Sequence, residues 1–259
     1  KKSKDTLSIP GKRSFSLGVG EFPVTRKVQG IDIILKTCTS VQLVSQNKNR
    51  VFEKEKSEYT FRTLKSLYKS ALDLKRKFPE IFIQFTIIDI GSDDVNKGKL
   101  KNFLNDFPFK FVNLDEKKIN MDPVTINKNN KIIENNMATT MKSIYESFDQ
   151  AQRCKDLIYF VEDDYIHKTE ALAEMIFAYE KFSSIFNKEL FILSTDYPYL
   201  YKKLENSNIL IGENYHWRTV NESLLTFLTS NQMFNKYREK FYDMAKIERN
   251  PFEKNLHEI

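Results

Sequence analysis

Leu157-Ile158-Tyr159-Phe160-Val161 runs without a break into Glu162-Asp163-Asp164, and this junction decides the fold class. Five consecutive apolar residues, rich in aromatic and β-branched types, suit a strand buried on both faces. The same texture recurs at Ile31-Asp32-Ile33-Ile34-Leu35 and again over 81–90, which ends in Asp89-Ile90-Gly91-Ser92-Asp93-Asp94. Between those two, Leu64, Leu67, Tyr68, Ala71 and Leu72 recur at helical spacing, and Pro79 stops that helix. Downstream, the pattern predicts a short helix around 100–107, a strand over 109–114 and a helix face at Met141, Ile144, Tyr145 and Phe148. After the acidic run comes a helix carrying Leu172, Met175, Ile176, Tyr179 and Phe186, then strands over 190–194, 209–211 and 224–228 and a helix over 233–246. Strands alternating with helices predict an α/β fold, with a mostly parallel central sheet flanked by helices and right-handed crossovers.

Residues 1–27 read as a polar, Gly- and Pro-punctuated extension, and 115–135, rich in Asn and Lys, as an irregular insertion or mobile loop. The remaining 28–259 suit one domain, and the 41% apolar share, with 21 Phe and 12 Tyr, is ample for a packed core. Lys plus Arg is 41 against 35 for Asp plus Glu, a formal charge of +6. The lysines are spread along the chain, which argues against a nucleic-acid surface and permits an anionic small substrate. The two cysteines, Cys38 and Cys154, are far apart and match no zinc spacing. No run approaches the ~18 apolar residues of a transmembrane segment, and the N-terminus lacks the apolar core of a signal peptide. A reducing, cytoplasmic setting is the default expectation, peripheral attachment to a membrane included. The chain starts and stops abruptly, as part of a larger polypeptide would.

In open α/β sheets, ligands bind beyond the carboxyl ends of the strands. Two acidic clusters fall there: Asp89 with Ser92, Asp93 and Asp94, and Glu162 with Asp163 and Asp164. Carboxylates crowded at the end of a buried strand need a compensating positive charge. A hard cation, Mn2+ or Mg2+, supplies it by taking carboxylate and substrate phosphate oxygens together. For either cluster alone, a solvated turn and helix cap is the simpler explanation. Two clusters at two strand ends favour a site.

This order of features resembles family-2-type glycosyltransferases with the glycosyltransferase-A fold, a Rossmann-like arrangement. In that family the first strand ends in a polar loop that contacts the nucleotide, matched here by Lys36-Thr37-Cys38-Thr39-Ser40. An Arg opening a Leu-striped helix is matched by Arg62-Thr63-Leu64. A strand ending in Asp-Asp-Gly-Ser-x-Asp is matched by residues 89–94, with Ile90 in place of the second Asp. The family's Asp-x-Asp motif is matched by Glu162-Asp163-Asp164, with Glu162 in place of the first Asp. The resemblance implies a nucleotide-binding half over 28–165 and an acceptor-side half over 166–259. It implies donor contacts from Thr37, Thr39, Arg62, Asp89, Ser92, Asp94 and Asp163, with Asp89 meeting the base. Glu162 and Asp164 then hold the metal that bridges the two phosphates. The implied reaction moves a sugar, with inversion, from a nucleotide diphosphate sugar to a hydroxyl of a carbohydrate or other acceptor.

Gly212-Glu213-Asn214-Tyr215-His216-Trp217-Arg218 holds the single Trp and one of three His. His216 suits a third metal ligand, Arg218 a diphosphate contact and Trp217 a sugar face. An amphipathic strand edge with a packed Trp accounts for the same residues. The resembled family places its base in a Glu-Asp motif at a helix start. Glu253 stands at that place, with Lys254 where the Asp is usual and with Glu222 and Asp196 as competitors. Two other functions fit the same features. A nucleotidyltransferase needs a Gly-rich phosphate loop, and 36–40 has no glycine. A non-catalytic carbohydrate-binding or scaffold domain is what the substituted positions Ile90, Glu162 and Lys254 suit.

Overall fold

The computed structural model describes residues 23–40, 55–115, 135–202, 206–222, 224–246 and 259. Glu253 and Lys254, most of the 115–135 stretch and most of the 1–27 extension lie outside the described residues.

Strand β1 (Gly30–Thr37) is the third of six strands in the sheet. It pairs in parallel with β2 (Phe82–Ile90), which pairs in parallel with β3 (Phe109–Leu114). On its other side it pairs in parallel with β4 (Leu157–Val161). The complete order is β3-β2-β1-β4-β8-β5, with β5 at Phe191–Ile192 and β8 at Phe227–Ser230. Strand β8 runs antiparallel to both β4 and β5, so the sheet is mostly parallel, as the pattern predicts, with one reversed strand. A run such as 224–228 carries no directional signal.

Alternate residues of each central strand face opposite layers, and both layers are apolar. Ile31, Ile33, Leu35, Tyr159 and Val161 share one core with Leu64, Leu67 and Leu74 of α1 (Lys56–Lys77). Leu172, Met175, Ile176 and Tyr179 of α4 (Ala171–Phe186) belong to that core. Ile34, Ile88, Ile158, Phe160 and Phe227 face the other layer, where α3 (Asn135–Ala151) brings Ile144 and Phe148 and α6 (Arg238–Lys246) brings Phe241 and Met244. Each such side chain contributes about 1.5–3 kcal/mol when fully buried. This two-faced burial is why β1, β2 and β4 lack the alternation of half-exposed strands.

Helix α2 (Asp94–Phe103) follows β2 and is capped by Asp93, whose side chain accepts from Asn96 N at 2.8 Å. The helix expected over 233–246 is two: α5 (Asn231–Lys236), capped by Ser230, and α6. A hairpin of β6 (Ile209–Ile211) and β7 (His216–Arg218) forms a separate sheet beside α4. Among the described residues no helix is long and apolar enough to cross a membrane.

Candidate active site

The carboxyl ends of β1 and β2 lie side by side, with Thr37 opposite Asp89 in the register. Gly91 follows with φ 77°, a left-handed turn that glycine adopts without steric cost. The turn brings Ser92 back over the strand end, and its hydroxyl donates to Asp89 Oδ1 at 2.6 Å. The Thr37 hydroxyl donates to the same oxygen at 2.8 Å, while the Thr39 amide donates to Ser92 Oγ at 3.0 Å. Asp89 is fully buried, and its Oδ2 has no hydrogen-bond partner in the protein. Burial raises the Asp89 carboxyl above its ordinary range, with the Ser92 and Thr37 hydroxyls pulling it partly back. Asp94, the first residue of α2, is exposed.

The acidic run lies directly after β4, next to β1. Glu162 Oε1 meets Lys36 Nζ at 2.5 Å, and the Glu162 amide donates to Thr226 Oγ1 at 3.1 Å. Asp163 spends both oxygens inside the protein: Oδ1 on Lys56, and Oδ2 on Thr60 Oγ1 at 2.7 Å and Cys38 N at 3.1 Å. Burial opposes the Lys56 charge, but Asp163, Asp164 and Glu162 outweigh it and raise the ammonium pKa. Lys36 and Lys56 thus pair with two of the three carboxylates of the run. Asp164 is exposed at the open end of the sheet. No three His, Cys, Asp or Glu side chains among the described residues are grouped to cage a metal.

Beyond Asp164 the chain enters a cavity of about 990 Å³ between α4, the β5 edge and the β6–β7 hairpin. Tyr165 and Asp196 line it, as do Glu222 and all three residues of β7. The Tyr165 and Tyr197 hydroxyls bond at 2.7 Å. Burial, then that bond and the charges of Asp164 and Glu162, push the Tyr165 phenol up. Arg218 donates to Asp196 Oδ1 through Nη2 at 2.7 Å and Nε at 3.1 Å, and Tyr201 donates to Oδ2. The Arg218 hydrogen bond holds the Asp196 carboxyl below its usual range. At the cavity lining, Tyr159 Oη meets His167 Nε2 at 2.8 Å and Ser194 Oγ at 3.0 Å. The hairpin is held by Glu174 of α4, which accepts from Glu213 N, Asn214 N and Trp217 Nε1 at 2.8–3.1 Å.

The structure thus brings Thr37, Thr39, Asp89 and Ser92 into one hydrogen-bonded web and puts Glu162, Asp163 and Asp164 next to it. Arg62 stands apart: it lies in the second turn of α1 rather than opening it, and its Nε bonds Glu58 at 2.6 Å. His216 is exposed on β7 and joins no three-ligand group with Glu162 and Asp164. Lys56 is the site cation that sequence reasoning missed, and Lys36, read as part of the nucleotide loop, lies in β1 and pairs with Glu162. Lys36 lies 126 residues from Glu162 and Lys56 107 from Asp163, separations at which no local pattern reports a contact. No protein-family model matches the chain, and no curated protein matches it.

Proposed function

We propose that the chain is a glycosyltransferase that moves a sugar, with inversion, from a nucleotide diphosphate sugar to an acceptor hydroxyl, using Mn2+ or Mg2+. The observation that carries this reading is Asp89: buried, held through one oxygen by two hydroxyls, with the other oxygen lacking a protein donor. A buried polar atom without a partner is costly, and an N–H of a nucleotide base satisfies it once the groups that seal Oδ2 from solvent give way. The web of Thr37, Thr39 and Ser92 fixes that carboxyl in place. The diphosphate then lies toward Asp164, the carboxylate of this chain that would hold the cation. When bound, the cation neutralises charge on the departing diphosphate. Asp163, with both oxygens engaged, positions the run rather than touching the donor. The acceptor enters from the Tyr165–Asp196 side, where Asp196 and Glu222 stand as bases, with Glu253 a third candidate outside the described residues.

The second reading, a non-catalytic carbohydrate-binding domain, draws on the Lys36 and Lys56 pairs, which already offset two of the three carboxylates. One melting experiment separates the two. A nucleoside diphosphate with Mn2+ at ~100 times its Kd adds about 2.7 kcal/mol, or about 5–11 °C in a domain of this size. Asp164→Ala is expected to remove the Mn2+-dependent part of that shift and the transfer reaction while keeping the apo melting point. No shift with uridine, guanosine, adenosine or cytidine diphosphate would leave the carbohydrate-binding reading in possession.

A further inference from the structure

The cavity beyond Tyr165 offers more apolar than polar surface, although Lys168, His216, Arg218 and Glu222 also line it. Its polar groups include Tyr165, one residue beyond Asp164, and Asp196. Met175, Phe186, Leu193, Leu210 and Trp217 form an apolar wall. Hydroxyls of a bare carbohydrate pressed against that wall lose water without gaining partners. A hydrocarbon chain gains about fourfold in affinity per buried methylene. The volume, about 990 Å³, lies at the upper end of small-molecule sites (~300–1,000 Å³) and holds a polar head together with an apolar tail. Apolar surface continues outward at the margin: Ile166 and Phe186 both line the cavity and are 65% and 44% exposed.

We propose that the acceptor is an amphiphile, resting on the transferase reading: its hydroxyl-bearing head meets Tyr165 and Asp196, and its alkyl or isoprenoid chain fills the cavity. The reacting hydroxyl then lies next to the acidic run, while the chain leads away between α4 and the hairpin. Commitment to a chain-bearing acceptor, rather than a sugar alone, follows from the wall.

Trp217 is the single tryptophan and part of that wall, so its fluorescence reports occupancy directly. The full chain is titrated with octyl β-glucoside below its micelle concentration and with methyl β-glucoside, which shares the head but lacks the chain. The expected result is a saturable change in Trp217 emission with the octyl compound at least ~100-fold tighter than with the methyl compound. Phe186→Glu, at an exposed helix position that the fold tolerates, weakens the octyl response ~10-fold or more. Equal responses, no response, or an octyl response that Phe186→Glu leaves unchanged overturn the proposal. The nucleoside diphosphate melting shift is read on the same samples. A nucleotide shift without an octyl response overturns the amphiphile alone, and an octyl response without a nucleotide shift overturns the transferase reading and the acceptor role with it.

Discussion

Asp89 and His167 are both buried ionisable residues, and each has a separate readout. If Asp89 Oδ2 accepts from a nucleotide base, Asp89→Asn turns an acceptor into a donor facing a donor. The remaining amide oxygen still serves Thr37 and Ser92, so the fold persists. Nucleoside diphosphate affinity should fall ~10-fold or more, read by calorimetric titration, and an unchanged Kd removes Asp89 from the nucleotide site. His167 is held neutral by burial, which lowers its pKa from 6.5 to about 4, the Tyr165 backbone partly offsetting this. The unfolded chain therefore binds the extra proton between pH 6.5 and 4, and stability falls as pH falls through that window. At about 1.4 kcal/mol per pH unit, the loss amounts to ~3 kcal/mol. Denaturant midpoints at pH 7 and 4.5 should draw together in His167→Gln relative to the unaltered chain. Parallel losses in both proteins count against a neutral, buried imidazole.

Among the elements, the β6–β7 hairpin depends on one glycine. A Cβ at Gly212 meets Glu174 Oε1 at 2.0 Å and Trp217 Nε1 at 2.6 Å, and the Gly212 amide closes the turn on Tyr215 O at 2.8 Å. Gly212→Ala must push apart the contacts that dock the hairpin on α4, costing about 1–3 kcal/mol, with a red shift of Trp217 emission. Gly98, in α2, has nothing within 4 Å of its Cβ position, so Gly98→Ala serves as the control and stabilises by ~0.5–1 kcal/mol. Equal melting points for the two variants refute the clash. The hairpin also marks where sequence reading stops. Strands β1, β2 and β4 are legible because burial on both faces writes continuous apolar runs. The 209–211 strand is legible, but its pairing with His216–Arg218 is not, because those residues pack through Trp217 and a carboxylate on another helix. Phe227–Ser230 starts later than the apolar run 224–228 suggests, since Thr226 leaves the ladder to serve the Glu162 amide. The single helix expected over 233–246 breaks at Tyr237, whose amide closes α5 on Met233 O. Of the candidate site, the acidic positions are visible as strand-end residues. Their pairing with lysines is invisible, because tertiary folding alone brings the partners together.

Across the whole molecule, β4 is pinned to β1 at both ends by a carboxylate. At the amino ends Asp156 Oδ2 accepts from Gln29 N at 2.6 Å, and Oδ1 pairs with Arg26, which also grips Glu189 at 2.7 Å. At the carboxyl ends Asp163 ties Cys38 and Thr60 together with Lys56. The two clamps are built alike, yet only the second borders the web around Asp89, so their loss separates architecture from function. Removing one partner of a largely buried ion pair costs about 3–5 kcal/mol. The Arg26 guanidinium is more exposed than Lys56, 24% against 15%, which places Asp156→Ala below Asp163→Ala in cost. Both variants should melt lower. Nucleoside diphosphate affinity, measured well below either melting point, should survive Asp156→Ala and drop ~10-fold or more in Asp163→Ala. The mechanism is positional: without Asp163 the end of β1 and the start of α1 lose their common anchor, and the Thr37–Asp89–Ser92 web loses the wall beside it. If Asp163→Ala binds nucleotide as tightly as the unaltered chain, the acidic run is a structural clamp and the donor does not lie against it.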